Sequence, residues 1–537
     1  MQSFYNLTNP YPITRQPAYA RKGMVATSQA TAAQAGLEIL KKGGNAIDAA
    51  IATAATLTVV EPTSNGIGGD AFALVWTKGK LHGLNSSGRS PKSISIDALK
   101  EKGIEEIPDY GWLPVTVPGA PGAWAELSKR FGKLSLKEVL EPAIRYAEEG
   151  YSVSANLSRL WNTAYHTFKK HCTDPMFENW FNTFAPKGRA PKAGEIWASE
   201  DHAKTLRLIA ETNAEAFYRG ELAEKIASFS KEHGGYLTEE DLAEFQPEWV
   251  DPIHVHYRGY DVWEIPPNGQ GIVALHALNI LKGFTFSQRD SVDTFHKQIE
   301  AMKLAFVDGK KHVTDPRDMK YTVDEILSDD YAEARRSLIG DEALMPEAGE
   351  PFGGGTVYLC TADEEGNMVS FIQSNYKGFG SGIVVPGTGI ALQNRGKDFS
   401  LDPNHVNALK GGKKTYHTII PGFLTKGDQP IGPFGVMGGY MQPQGHLQVV
   451  MNTIDFGLNP QAAIDAPRWQ WIKDKKVIVE HRFAHHFVDA LKLKGHDISY
   501  SENPNLFGRG QIIWRDPETG VLVGGTESRA DGTVATW

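Results

Sequence analysis

Residues able to do covalent chemistry are concentrated in two glycine-rich runs. The first is Phe352-Gly353-Gly354-Gly355-Thr356, followed by an apolar stretch and the turn Asp363-Glu364-Glu365-Gly366-Asn367. Three glycines before a strand can be no more than a flexible lead into a sheet. They also permit a strained Gly–Thr bond to be attacked by the threonine hydroxyl, which would leave Thr356 as a new chain terminus. Its α-amine would then sit beside its own hydroxyl as a ready base. Such an amine titrates near ~7.7–8.0, a range suited to proton transfer near neutral pH. The second run is Gly435-Val436-Met437-Gly438-Gly439-Tyr440. Consecutive glycines bring backbone N–H groups close to a substrate, as an oxyanion hole requires, although a packed turn has the same spelling.

Other candidate motifs fail on context. Gly66-Ile67-Gly68-Gly69-Asp70-Ala71 spells G-x-G-x-x-A, but here a helix precedes and a strand follows, the reverse of a dinucleotide loop. A tight turn that can still line an active site is the better reading. His254 and His256 alternate on one strand face without acidic or cysteine partners nearby, which favours a structural role over a metal site. The 17 histidines show no H-E-x-x-H spacing, and neither G-x-S-x-G nor G-x-x-x-x-G-K-[ST] occurs. Two cysteines, Cys172 and Cys360, cannot make a disulfide framework or a four-cysteine zinc site. No metal and no organic cofactor is expected.

The elements that must position these groups are legible in outline. Ser28 is a candidate N-cap for a helix that Gly43-Gly44 stops; Asn45 then caps a second, Ala-rich helix closed by Pro62, with Asp48 in its first turn. Ser135-Leu136-Lys137-Glu138 spells a capping box, and a further helix runs from Glu221 to His233. Strand-like runs are expected at 71–77, 253–257, 261–265, 356–362, 368–373, 383–385, 418–424, 477–480, 511–514 and 521–524. Helices dominate the first two thirds and strands the last third, an α+β order without strict βαβ alternation. No repeat or low-complexity linker divides the chain, so one compact body is expected.

Composition sets the outer bounds. The 537 residues are 41% hydrophobic and 22% charged, ordinary for a globular protein. Fifty-five basic against 64 acidic residues give a formal charge of −9, which disfavours nucleic acid as a partner. No window approaches the ~18 apolar residues of a membrane span. The opening residues lack a basic region followed by an apolar stretch, so a cytoplasmic location is expected.

Taken together, these pieces resemble the gamma-glutamyltransferase (gamma-glutamyltranspeptidase) family of N-terminal nucleophile hydrolases, over nearly the whole chain. The stretches that carry the resemblance are GGNAIDAAIATAATLTVVEPTSNGIGGDAF (43–72), PGAPGAW (118–124), EPAIRYAEEGY (141–151), AFYRGELAEKIA (216–227), GGYLTEEDLAEF (234–245), YRGYDVWEIPPNGQG (257–271) and GFGSGIVVPGTGIALQN (378–394). The resemblance implies an αββα sandwich with two central antiparallel sheets. It also implies self-cleavage between Gly355 and Thr356 into a large subunit, 1–355, and a small subunit, 356–537, that stay together as one interleaved body. Aligned through the D-x-x-G-N turn, the nucleophile falls on Thr356, a second hydroxyl on Ser374, the acid that holds a substrate α-amino group on Asp398, and the oxyanion-hole glycines on Gly438 and Gly439.

Departures from the family pattern fall in the substrate shell. Ser87 stands where an arginine usually clamps the donor carboxylate, and the nearest arginine is Arg89. His417-Thr418 replaces a Ser-Ser pair, Arg395 replaces a Gln or Glu, and Tyr376 replaces an Asn. The segment between Phe399 and Lys414 is too short for the lid loop of some bacterial members. This pattern looks like the branch that includes cephalosporin acylases. The expectation is an autoprocessed Thr-nucleophile amidohydrolase or acyltransferase that cleaves γ-glutamyl amides of the glutathione type. It would act through an acyl-enzyme and pass the acyl group to water or an amino acid, with Arg395 or Arg89 clamping the carboxylate. The alternatives are an acylase for glutaryl or other side-chain amides and an uncleaved, non-catalytic binder.

Overall fold

The computed structural model of the chain describes Tyr11 and residues 15–346 and 355–537. Gly353 and Gly354 of the first glycine run, and most of the opening segment, lie outside the described residues. Two seven-stranded antiparallel sheets form the centre. The first has the order Thr533–Thr536, Gly23–Thr27, Gly355–Asp363, Met368–Tyr376, Asp70–Thr77, Lys80–Ser86, Glu248–Val250. The second has the order Ala18–Ala20, Leu522–Thr526, Arg509–Arg515, Gln429–Met437, Gly422–Lys426, Tyr260–Glu264, Ile253–Tyr257. Both sheets combine strands from before and after residue 355.

The two inner faces meet in a core of Met24, Phe72, Leu74, Tyr358, Ile372, Phe423, Met437 and Ile513. Each fully buried side chain of this size is worth about 1.5–3 kcal/mol. Helices Ala30–Lys41 and Ala46–Val60 cover the outer face of the first sheet; Gly271–Leu281 and Gln442–Ile454 cover that of the second, and Val292–His312 packs on Gly271–Leu281. The helix Ala46–Val60 is apolar around its whole circumference because every residue in it is buried, between the sheet and helix Leu136–Glu149. The result is an αββα sandwich.

Local signals performed unevenly. Asn45 caps its helix and Asp48 completes a capping box, as does the Ser135/Glu138 pair. Ser28 is not a cap: the N-cap is Gln29, and the Ser28 hydroxyl donates instead to Glu61. The run 383–385 is no strand but carries a single bridge, Val384 to Ala391, and of 418–424 only Gly422 onward joins a strand, Gly422–Lys426. His254 lies over the Trp263 ring, and His256 pairs with Asp261 on an edge strand. Both cysteines are free and buried. Among the described residues, no helix is long and apolar enough to cross a membrane.

Candidate active site

Thr356 is the second residue of strand Gly355–Asp363, at a break in register: Gly355 faces Tyr376, whereas Val357 already faces Gln373. A bulge of this kind re-aims one side chain. Thr356 is 1% exposed, and its Oγ1 lies 3.0 Å from Ser374 Oγ, which also accepts the backbone N–H of Tyr376 at 2.8 Å. The second hydroxyl is thus held by the backbone of its own strand and set against the first.

Two residues further on, Tyr376 adopts φ +74°. An aromatic residue in left-handed backbone costs on the order of 1–3 kcal/mol and persists only where its surroundings over-determine it. Here its ring lies 4.0 Å from the Arg395 guanidinium carbon, and its hydroxyl donates to Asp398 Oδ1 at 2.6 Å. Tyr440 donates to the same oxygen at 3.2 Å. Arg395 Nη1 donates to Thr418 Oγ1 at 2.8 Å and to Asp398 Oδ2 at 3.3 Å. Burial, reinforced by Asp398, pushes both tyrosine hydroxyls well above their ordinary pKa, so both remain donors. Arg395 is 1% exposed, yet its Nε and Nη2 have no hydrogen-bond partner among the described residues. These two nitrogens form the side-on edge of the guanidinium, the geometry that takes a carboxylate bidentately.

Arg89 does not join this cluster. Its two terminal nitrogens are taken by Asp315 at 2.7 Å and Glu248 at 3.0 Å, with Lys414 also on Glu248. His417 is likewise committed elsewhere: its Nε2 lies 3.0 Å from Asp70 Oδ2, while its Nδ1 accepts the Ile419 N–H. That assigns the proton to Nε2 and makes Asp70 the acceptor, as it is for Gly88 N–H and Gln393 Nε2. Burial pushes the Asp70 carboxyl up to about 7, against the pull of Arg395, and pushes the His417 imidazole well down, keeping it neutral. Thr418 is the half of the pair that reaches the guanidinium.

Gly438 and Gly439 lie between the end of strand Gln429–Met437 and helix Gln442–Ile454, with φ +140° and +60°. A Cβ on Gly438 would meet the Gly508 Cα at 3.2 Å. Gln270 Nε2 holds the Gly439 and Thr418 carbonyls at 2.9 and 2.6 Å, tying the glycine turn to the segment beneath Arg395. Gln270, Tyr440 and Asp70 were not singled out as site residues from sequence. Tyr440 directly follows the Gly-Gly pair and Asp70 closes GIGGD, so their positions beside glycine motifs were the available signal.

One group among the described residues has metal-ligand composition: His296, Glu300 and His496, all buried, with ligand atoms within 4.8 Å of one another. The two rings are already hydrogen-bonded to each other at 2.8 Å, and the Lys303 ammonium stands 2.7 Å from Glu300. The cation this cluster calls for is supplied by the protein. Burial pushes the Cys172 thiol up to about 12, which leaves it a poor nucleophile.

Comparison with known proteins follows the same lines. The family model described as gamma-glutamyltranspeptidase matches residues 32–537. The chain is 40% identical over 525 residues to the glutathione hydrolase-like YwrD proenzyme of Bacillus subtilis (strain 168), spanning 96% of this chain and 98% of that one. It is 33% identical over 526 residues to the oxamate amidohydrolase proenzyme of Klebsiella pneumoniae, with the same two coverages. Among solved structures, a cephalosporin acylase from Bacillus halodurans superposes with a TM-score of 0.96 at 68% identity over 99% of both chains. On family model, sequence identity and superposition alike, the chain belongs to the gamma-glutamyltranspeptidase family and is an enzyme of the N-terminal nucleophile hydrolase type, acting on γ-glutamyl or other acyl amides.

Proposed function

We propose that the chain cleaves itself between Gly355 and Thr356 and then acts as a Thr356-dependent amidohydrolase on amides whose acyl part ends in a carboxylate. The observation that carries this reading is the Thr356 hydroxyl, aimed by a bulge at the start of a central strand and set 3.0 Å from Ser374. The word proenzyme in both relatives' names is consistent with the cleavage. In the mature form the freed α-amine takes the Thr356 hydroxyl proton as Oγ1 attacks the amide carbonyl. The backbone N–H groups of Gly438 and Gly439 take the developing oxyanion. The amine leaving group departs with that proton, and an ester to Thr356 remains. Water, or an amino acid amine, then resolves the ester.

Arg395 gives the donor its second anchor. A buried guanidinium edge with no partner matches a donor carboxylate, and such a contact is worth about 2–5 kcal/mol when one side is removed. Oxamate, named for one relative, is itself an amide bearing a carboxylate. The test is the purified protein. It is expected to split from 59.0 kDa into fragments of about 39 and 20 kDa, in proportion to residue number, with Thr356 leading the smaller. Thr356→Ala is expected to stay one band and to hydrolyse nothing. A small fragment starting at any other residue would overturn the assignment.

A further inference from the structure

The acid that the family resemblance assigns to a substrate ammonium is already spoken for. Asp398 Oδ1 accepts two tyrosine hydroxyls, from Tyr376 at 2.6 Å and Tyr440 at 3.2 Å, and Oδ2 accepts Arg395 Nη1 at 3.3 Å. A carboxylate offers about four lone-pair sites, so little acceptor capacity remains. The charge is balanced as well, since Asp398 pairs with the buried Arg395 before any donor arrives. A second cation, the Lys310 ammonium, stands 4.6 Å from the centre of the Tyr440 ring. Among the described residues, an incoming ammonium would meet guanidinium charge and an acid already taken by three donors; a buried cation without a counter-ion is heavily penalised. An incoming carboxylate meets the Nε and Nη2 edge of Arg395, which has no other partner among the described residues. Tyr376 is placed by its left-handed backbone and Tyr440 by the glycine turn before it.

We propose that Tyr376 and Tyr440 determine acyl specificity: by capping Asp398 they restrict the donor to half-amides of dicarboxylic acids, of the glutaryl kind, and exclude donors that carry an α-ammonium, of the γ-glutamyl kind. This rests on the reading of Thr356 as nucleophile and Arg395 as carboxylate clamp, and adds what the clamp's neighbour rejects. The cap acts on Asp398, so the tyrosines are positioning residues whose effect appears in the ratio between the two donors.

The experiment compares kcat/KM for glutaryl and L-γ-glutamyl p-nitroanilides on the mature enzyme. It runs alongside calorimetric titration of the same protein with free glutarate and free L-glutamate. The glutaryl donor is expected to be preferred by at least about 30-fold, the low end of what an unpaired buried charge costs, with glutarate bound correspondingly tighter than glutamate. Tyr376→Phe and Tyr440→Phe each return a lone pair to Asp398 and are expected to narrow that ratio several-fold. Splitting into two subunits certifies that each variant has folded. Equal use of the two donors, or a γ-glutamyl preference, overturns the proposal while leaving the nucleophile reading intact. So does a ratio that neither tyrosine variant moves. A mature protein that hydrolyses neither donor defeats the nucleophile reading instead, and the titration then decides the specificity proposal on its own: glutamate bound as tightly as glutarate overturns it.

Discussion

At the scale of single residues, two arginines of similar sequence promise have opposite fates. Arg395 is sealed under Tyr376 with one edge of its guanidinium unmatched, whereas Arg89 is part-exposed and satisfied by Asp315 and Glu248. Arg395→Ala is therefore expected to lower kcat/KM for carboxylate-bearing donors by the equivalent of about 2–5 kcal/mol with the chain still splitting into subunits. Arg395→Lys keeps the charge but loses the fork and should recover only part of the loss. Arg89→Ala should leave kcat/KM within a few-fold of the parent. Equal losses in steady-state assays of the two Ala variants would contradict the assignment. The sequence pointed to Thr356 through the glycine run before it, and to Ser374, Arg395 and Asp398 only through the family resemblance. It set Arg395 ahead of Arg89 only by its place three residues before Asp398; the partners that retire Arg89, 159 and 226 residues away, were not readable. For the same reason His417 read as a substrate ligand, when its ring is held by Asp70, 347 residues distant in the chain.

At the scale of elements, a buried ion network fastens the end of strand Leu522–Thr526 in the second sheet to a three-stranded sheet formed by Trp469–Lys473, Lys476–Glu480 and Asp497–Ser501. Arg468 reaches Glu527 at 2.9 Å, and Arg529 reaches both Glu527 at 2.5 Å and Glu480 at 2.6 Å. Burial pushes the Glu527 carboxyl up, but Arg468 and then Arg529 outweigh it and hold it down to about 2, from an ordinary 4.5. A depressed acid contributes stability that is fully present above its unfolded pKa and is lost as pH falls through its folded one. Glu527 is thus expected to contribute about 3 kcal/mol above pH ~4.5, declining between ~4.5 and ~2. Glu527→Gln leaves the buried Arg468 guanidinium without a carboxylate and Arg529 with Glu480 alone, and should cost about 3–5 kcal/mol at pH 7. Urea titrations of parent and variant at pH 7 and pH 3 should show that gap narrowing in acid; a gap independent of pH would exclude this account. None of this network was visible in the sequence, where an Arg or Glu in the last hundred residues looks like any surface charge. Capping signals at Asn45 and Ser135 were legible because a cap is a contact within four residues. The run 383–385 misled because its apolar content suits a strand, while Gly380, Gly382, Gly387 and Gly389, all at positive φ, keep the chain turning.

At the scale of the whole molecule, the α+β composition and the helix-then-strand order were readable, but the pairing of strands was not. The first sheet sets Gly355–Asp363 between Gly23–Thr27 and Met368–Tyr376, a neighbour more than 300 residues upstream and one a few residues downstream. Only the family resemblance supplied the sandwich; hydrophobic periodicity gives strands, not their partners. This interleaving gives the proposed cleavage its physical sense, because each sheet pairs strands from before residue 355 with strands from after it, which would hold the halves together without a covalent link. The central claim, that Thr356 is the nucleophile, is tested most directly by trapping the intermediate. Mature enzyme mixed with a glutaryl ester, quenched in acid within the first turnover and mapped by peptide mass spectrometry, should carry one acyl group on the Thr356 hydroxyl at the head of the small subunit. An acyl group on Ser374 or any other side chain, or turnover with no acylated peptide at any quench time, would contradict it.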